Sequence, residues 1–208
     1  MYKLFWAKSM GSMAPEVLLE EIGAEYEKIA VDVENQENRG AEFLAVNPTG
    51  QLPALVLPDG TVMTESAAMV LHITDRHPEA KLAPPAGSPE SARFQRWLIF
   101  MAATIYTTDQ RLYHADRFTT DATGVDGITA SARADMDRDF AVVNDALDPG
   151  PYLLGETYSA VDVYLWMLAK WHPDVTQLFA DNPRIATLWD LVEARPAVAK
   201  VWAENRED

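Results

Sequence analysis

A proline-rich segment divides the chain into two parts whose hydrophobic patterns differ. Between Leu82 and Pro89, three prolines and one glycine fall within eight residues, a density of breakers that neither a helix nor a strand tolerates. Before this segment, short apolar runs alternate with helical stretches, whereas the apolar spacing after it is helical throughout. The sequence therefore predicts an α/β domain at residues 1–80, a linker at 81–89 and an all-helical domain at 90–208.

The first domain is predicted to start with a β-α-β unit. Tyr2 to Trp6 is a short aromatic and apolar run, a helical pattern follows it, and a second strand is expected from Tyr26 to Val31. Further along, Pro58-Asp59-Gly60 is a strong turn signal between two short apolar strands. A β-hairpin is therefore expected after the β-α-β unit, and a helix that begins near Glu65 follows the hairpin.

The second part contains helical patterns only. The longest runs from Phe94 to Leu112, and the next, from Ile128 to Leu147, carries an acidic outer face. Three shorter helices are expected at Ala160 to Lys170, Arg184 to Glu193 and Ala197 to Glu204. No apolar run reaches the ~18 residues of a membrane span, and the N-terminal run is too short for a signal peptide. A cytoplasmic location is the resulting expectation.

The composition excludes several classes of function. There are 32 Asp and Glu residues against 17 Lys and Arg residues, which gives a formal net charge of −15. A chain this acidic repels phosphate backbones and anionic lipids, so neither nucleic acid nor a membrane is expected as a partner. Because the chain has no cysteine, it cannot form a disulfide, a thiolate metal site or a thiol nucleophile of its own. Any sulfur chemistry must use a thiol that a substrate brings.

A proline stands directly before an apolar strand, in the run Gln51-Leu52-Pro53-Ala54. A central strand there would lose a backbone donor. A cis bond between Leu52 and Pro53 would turn the chain sharply and leave the Leu52 peptide groups available to a ligand. A trans proline at an ordinary strand start is the alternative, since only about 5–6% of such bonds are cis. Position alone leaves both isomers open.

Two helix starts carry polar groups that suit an anionic thiol compound. Ser66 and the positive end of its helix could bind a carboxylate, while Glu65 beside it could hold an ammonium group. In the loop from Ser9 to Ser12, a serine hydroxyl could donate a hydrogen bond to a thiolate, and the helix end lowers the pKa of a thiol. Simple N-capping explains either serine pattern equally well.

One further motif indicates a role in folding. Ser159 and Asp162 have the spacing of a capping box, directly before the apolar run Val163 to Trp166. An aspartate beneath a helical core has few other reasons to be there. The four histidines show no paired metal-ligand spacing with carboxylates, so no metal is expected.

Four motifs, in this order, resemble those of the cytosolic glutathione transferase family, and the resemblance covers nearly the whole chain. They are Asn47-Pro48-Thr49-Gly50-Gln51-Leu52-Pro53-Ala54-Leu55, Asp59-Gly60, Thr64-Glu65-Ser66-Ala67-Ala68, and Leu154 to Asp162. The resemblance implies a thioredoxin-like N-terminal domain that binds glutathione as co-substrate, an all-helical C-terminal domain that shapes a pocket for an electrophile, and a homodimer. It also implies that the bond before Pro53 is cis.

The resemblance assigns each part of glutathione to residues of the first domain. The backbone of Leu52, before Pro53, would pair with the cysteinyl part. Glu65 and Ser66 would take the γ-glutamyl end. Gln51 is assigned to the glycine end, and Arg39 is a further candidate for that carboxylate.

The loop before the first helix is similar to the bacterial beta-type pattern, with two departures. Gly11 stands where beta-type members carry a cysteine, and Tyr106 stands where they carry a histidine. A mixed disulfide between protein and glutathione is therefore impossible. Ser12 becomes the expected thiolate stabiliser, with Ser9 as the alternate.

The expected function is a glutathione transferase of the detoxification type. Its pocket is expected between the domains and lined by Trp6, Met10, Tyr106 and Tyr113, which suggests an apolar or aromatic electrophile. Such large side chains are just as typical of a helical core. Glutathione-dependent reduction of a peroxide is a compatible second activity. Two alternatives stay open: a glutathione-dependent lyase or ether-cleaving enzyme, and a non-catalytic glutathione-binding or interaction protein of the same fold.

Overall fold

A computed structural model describes residues 1–206 of the chain. Contacts between residues group it into two compact units. The first contains Met1–Ala83 together with the segment that begins at Glu193, and the second contains Pro84–Val192. The first unit is α/β and the second is helical, which confirms the predicted fold class.

The first unit is built on a four-stranded sheet. Its elements are β1 (Tyr2–Trp6), α1 (Met13–Glu21), β2 (Tyr26–Ala30), α2 (Ala41–Val46), β3 (Ala54–Val56), β4 (Val62–Met63) and α3 (Ser66–Arg76). The strand order is β2-β1-β3-β4, with β1 parallel to β2 and antiparallel to β3. The hairpin β3–β4 pairs Leu55 with Met63 and Val56 with Val62, so the predicted turn is confirmed.

Helices make up the second unit. They are α4 (Pro89–Phe100), α5 (Tyr106–Tyr113), α6 (Val125–Ala146), α7 (Ala160–Lys170), α8 (Val175–Asp181) and α9 (Pro183–Glu193). The single helix predicted from Phe94 to Leu112 is interrupted by a π-helical turn, Met101–Ile105, between α4 and α5. Every residue from Ala160 to Ala169 is buried, so α7 lies at the centre of this unit.

A capping box fixes the start of α7, as the sequence predicts. Asp162 is fully buried and accepts hydrogen bonds from the Ser159 N–H at 2.7 Å and the Ser159 hydroxyl at 3.1 Å. Its other carboxylate oxygen accepts the Leu153 N–H at 2.8 Å, so the same side chain also fixes the segment before the helix.

The last helix, α10 (Pro196–Asn205), packs in the first unit against α1. The helical spacing of its apolar residues predicts a place in the helical domain instead. Val198 and Val201 are buried, and Arg195 and Lys200 form ion pairs with carboxylates of α1. Helical spacing identifies the buried face of α10 but does not identify the element that covers it.

Candidate functional site

The bond between Leu52 and Pro53 is cis, as the family resemblance predicts. Pro53 is buried and stands one residue before β3. The Leu52 side chain packs against a cluster that includes Phe43 and Ala54. Because that cluster fixes its side chain, the position of the Leu52 backbone is also fixed.

A buried asparagine organises the turn that leads to Pro53. Asn47 is 2% exposed, and its Oδ1 accepts the Thr49 N–H at 3.2 Å and the Thr49 hydroxyl at 2.9 Å. Its Nδ2 donates to the Gln51 carbonyl at 2.7 Å. The exposed side chain of Gln51 therefore starts from a backbone that the Asn47 amide holds in place.

Arg39 lies against the same turn. Its Nη1 donates to the Thr49 carbonyl at 2.9 Å. Gly50 adopts a positive φ of 65°, and a Cβ atom there would lie 2.6 Å from Arg39 Nη1 and 2.8 Å from the Asn38 carbonyl. Only glycine fits this conformation and this close approach. The structure thus brings together the two residues predicted for the glycine end of glutathione, Gln51 and Arg39.

The junction between β4 and α3 is strained. Glu65 is exposed and adopts φ 64° and ψ 104°, which is unfavourable for any residue with a Cβ atom. Ser66, mostly buried, is the first residue of α3. The Glu65 side chain makes no capping hydrogen bond at the start of α3.

The β3–β4 hairpin carries Pro53 and Glu65 at the same end. Leu55 pairs with Met63 across the hairpin, and the two strands are antiparallel. Pro53 stands one residue before β3, and Glu65 stands two residues after β4. The residues predicted for the cysteinyl and γ-glutamyl parts of glutathione therefore lie just beyond the same end of the paired strands.

Both serines of the loop before α1 already donate their hydroxyl hydrogens to main-chain carbonyls. Ser12 is fully buried, and its hydroxyl donates to the Ala7 carbonyl at 3.3 Å. Ser9 is exposed, and its hydroxyl donates to the Asn205 carbonyl at 2.7 Å. In the described part of the chain, the start of α1 receives no side-chain cap.

The two pocket residues predicted in the first unit, Trp6 and Met10, lie before and after Ser9, the first residue of this loop. Trp6 ends β1 and is half-buried, with the Lys28 ammonium 3.7 Å from its ring centroid. Lys28 also pairs with the buried Glu16 at 2.5 Å. The contact with Lys28 gives Trp6 a packing role, whether or not the Trp6 ring touches a substrate. Met10 is half-buried, and its carbonyl accepts the Met13 N–H at the start of α1.

The other two predicted pocket residues lie on α5 in the second unit. The Tyr106 ring packs edge-on against Trp171, with the ring centroids 5.1 Å apart. Tyr113 is 51% exposed, and its hydroxyl donates to the Trp171 carbonyl at 2.8 Å. Trp171 thus links the two tyrosines, which are seven residues apart and lie on one helical face.

Sequence reasoning missed Asp109, which lies between these tyrosines on α5. It is 7% exposed, and within the residues the structure describes its Oδ1 has no hydrogen-bond partner. Burial raises the pKa of the Asp109 carboxyl to about 7. Its position on the apolar face of α5 was the signal available in the sequence.

We expect the Asp109→Asn variant to show a stability that depends less on pH. The folded-state pKa of about 7 lies above the ordinary value of 3.8, so the unfolded chain ionises first and the wild type loses stability as pH rises from about 4 to 7. The amide cannot ionise. Its free energy of unfolding should approach that of the wild type near pH 4 and exceed it at pH 8, by up to about 4 kcal/mol. Urea unfolding at both pH values measures the difference, and equal pH dependence in both proteins would contradict it.

Two further features concern ligands and membranes. Among the described residues, no group of three or more His, Asp or Glu side chains is placed to hold a metal ion. Across residues 1–206, every helix is too short or too polar to cross a bilayer.

Comparison with known proteins identifies the family. Residues 1–75 match the model of the glutathione S-transferase N-terminal domain, and residues 128–206 match that of the C-terminal domain. The chain is 30% identical to the uncharacterized GST-like protein YncG of Escherichia coli K12, over 99% of this chain and 98% of that protein.

Solved structures agree with this assignment. A glutathione transferase from Methylococcus capsulatus is 33% identical with a TM-score of 0.85, and 98% of each chain is covered. A glutathione transferase homolog from Sulfitobacter, solved with bound glutathione, is 28% identical with a TM-score of 0.89, over 98% of this chain and 97% of that one. These matches establish that the chain belongs to the glutathione S-transferase family.

Proposed function

We propose that this protein transfers glutathione to an apolar or aromatic electrophile. The observation that carries the proposal is the end of the β3–β4 hairpin, which carries Pro53 and the strained Glu65. Strain of this kind persists where the surrounding structure enforces it, and it concentrates at binding sites. The Sulfitobacter relative, solved with glutathione bound, supports the same ligand here.

In this proposal each polar part of glutathione has a partner of opposite or complementary character. The Glu65 carboxylate holds the ammonium group, and the start of α3 at Ser66 accepts the neighbouring carboxylate. The Leu52 backbone pairs with the cysteinyl unit. Gln51 and Arg39 take the carboxylate of the glycine end. Such local partners are required because the whole chain, at −15, repels an anion.

We further propose that main-chain N–H groups and the positive end of α1 activate the thiol. A serine hydroxyl has a single hydrogen to donate, and those of Ser9 and Ser12 point to carbonyl groups. Ser12 also has no exposed surface. The geometry therefore favours a role for both serines in holding the loop, with the helix end lowering the pKa of the thiol. The sequence-based assignment of the Ser12 hydroxyl as direct donor stays the competing prediction.

The electrophile is expected to contact the aromatic face of α5. The Tyr106 ring packs on the Trp171 ring, and the Tyr113 hydroxyl donates to the Trp171 carbonyl. Aromatic side chains at this position would suit a flat apolar substrate. The contacts predicted for Trp6 and Met10, the homodimer, the cytoplasmic location and the role in detoxification stay predictions.

Steady-state conjugation of an activated aryl halide tests the activity and separates the two thiolate models. We expect the wild type to turn over, and Ser12→Ala to keep kcat within about tenfold, since the helix end is unchanged. Ser91→Ala is the matched control, because Ser91 is also buried and its hydroxyl also donates to a main-chain carbonyl, that of Ser88 at 2.8 Å.

Other outcomes of this experiment have distinct meanings. A loss of about 10²-fold or more in Ser12→Ala alone would return the donor role to its hydroxyl. Turnover restricted to ether or thioether cleavage would favour a lyase. Glutathione binding without turnover of any aryl halide or peroxide would favour a non-catalytic binding protein.

A further inference from the structure

The C-terminal helix reaches back to the loop that precedes α1. Asn205, the last residue of α10, is fully buried. Its Oδ1 accepts the Ser9 N–H at 2.9 Å, and its main-chain carbonyl accepts the Ser9 hydroxyl at 2.7 Å. Two short hydrogen bonds thus join residues that are 196 positions apart in the sequence.

The Asn205 amide fits this position in only one orientation. Its Nδ2 donates to the Val201 carbonyl at 2.8 Å, one turn earlier in α10. Only the amide oxygen can accept the Ser9 N–H, and only the amide nitrogen can donate to a carbonyl. An aspartate here would turn a carboxylate oxygen towards the Val201 carbonyl. Asparagine is therefore the side chain that satisfies both neighbours.

The contact acts on a residue in an unfavourable conformation. Ser9 has φ 55°, in the left-handed region that a residue with a Cβ atom rarely adopts. Four residues later the chain enters α1 at Met13. The Ser9 conformation sets the direction in which Met10 to Ser12 approach the helix, and the two bonds to Asn205 hold that conformation.

Ion pairs hold α10, the helix that carries Asn205, along α1. Every acidic residue of α1 takes part in one of these pairs. The pairs are Arg195 with Glu21 at 2.6 Å, Lys200 with Glu20 at 2.8 Å, and Lys28 of β2 with both Glu204 at 2.6 Å and Glu16 at 2.5 Å. Since the same helix contacts the body of α1 and the loop before it, α10 sets the position of one relative to the other.

From these contacts we infer that Asn205 is a positioning residue for thiol activation, acting through Ser9. It touches neither substrate nor the reacting sulfur. It holds the Ser9 to Ser12 loop so that the main-chain donors at the start of α1 face the thiol. This inference rests on the proposed function, because it presumes that glutathione binds at that loop.

The Asn205→Ala variant tests the inference with two readouts. Hydrogen exchange of the Ser9 amide should become at least about tenfold faster, because that N–H loses its acceptor. With glutathione bound, the pKa of its thiol, followed by the ultraviolet absorbance of the thiolate, should rise by about one unit. At pH 7, kcat should fall by about 10- to 100-fold while the KM for glutathione changes less than about twofold, since the loss is one of alignment.

Asn144→Ala is the matched control. Asn144 is also a buried asparagine, and its Oδ1 accepts the N–H of Arg184, in another helix, at 3.0 Å. It lies in the second unit, so it should lose comparable stability without any change in the thiol pKa. If Asn205→Ala does not fold, Ser9→Ala removes the 2.7 Å bond to the Asn205 carbonyl and should shift the thiol pKa in the same direction.

The outcomes separate this inference from the proposed function. Faster Ser9 exchange with an unchanged thiol pKa and unchanged kcat would overturn the positioning role. Unchanged Ser9 exchange would overturn the contact itself. A wild type that binds no glutathione would overturn the proposed function, and the positioning role with it, while the exchange result would still report on the Asn205 contact.

Discussion

Replacing Asp162 with alanine is expected to lower the free energy of unfolding by about 3–5 kcal/mol. The side chain has no exposed surface and accepts three hydrogen bonds, from the Ser159 N–H, the Ser159 hydroxyl and the Leu153 N–H. Alanine would leave two main-chain donors without this acceptor at the start of the most buried helix. Urea unfolding at neutral pH measures the loss.

Asp121→Ala is the control that isolates burial. Asp121 also accepts hydrogen bonds from its own turn, from the Thr123 N–H at 2.9 Å and the Thr123 hydroxyl at 2.8 Å, but it is exposed. Water can replace the lost bonds there, so a much smaller loss of stability than in Asp162→Ala is expected. A similar loss in both variants would contradict the claim that the Asp162 box derives its strength from being buried.

Replacing Glu65 with glycine should stabilise the fold and at the same time weaken glutathione binding by about 10- to 100-fold. Glycine adopts φ 64° without strain, so relief of about 1 kcal/mol is expected in urea unfolding. The lost carboxylate no longer holds the ammonium group of glutathione. Calorimetric titration with glutathione measures the affinity.

Two further variants separate backbone from charge at this position. Glu65→Ala keeps the strain and loses the carboxylate, so it should bind as weakly as Glu65→Gly without the gain in stability. Glu65→Gln keeps the shape of the side chain and loses its charge. Its affinity for glutathione should fall between that of the wild type and that of Glu65→Gly. Unchanged affinity in Glu65→Gly would show that the ammonium group binds elsewhere.

Local motifs were predictable from the sequence to the extent that their partners lie nearby in the chain. The hairpin at Pro58-Asp59-Gly60 and the Ser159–Asp162 box depend on residues within a few positions of one another, and both are confirmed. The bond before Pro53 required the family resemblance, because its position alone did not decide between cis and trans. The structure shows the cis isomer there and also at Asp148–Pro149, which no sequence signal indicated.

The features that sequence reasoning missed depend on distant contacts. The Asn205 carbonyl accepts the hydroxyl hydrogen of Ser9. A pattern of apolar residues does not show which helix end contacts which loop. The role of Ser12 stays a prediction, and its buried hydroxyl donates to the Ala7 carbonyl. Asp109 carries a charge whose burial depends on how the helices of its unit pack.

The most direct test of thiol activation by the start of α1 is the pKa of the thiol in bound glutathione, followed by the ultraviolet absorbance of the thiolate as pH is varied. We predict a value below about 7 in the wild type, against about 8.5 for a free thiol, and the same value in Ser12→Ala. A pKa near 8.5 in the wild type would contradict activation at this helix end, and a return to 8.5 in Ser12→Ala alone would assign it to the hydroxyl.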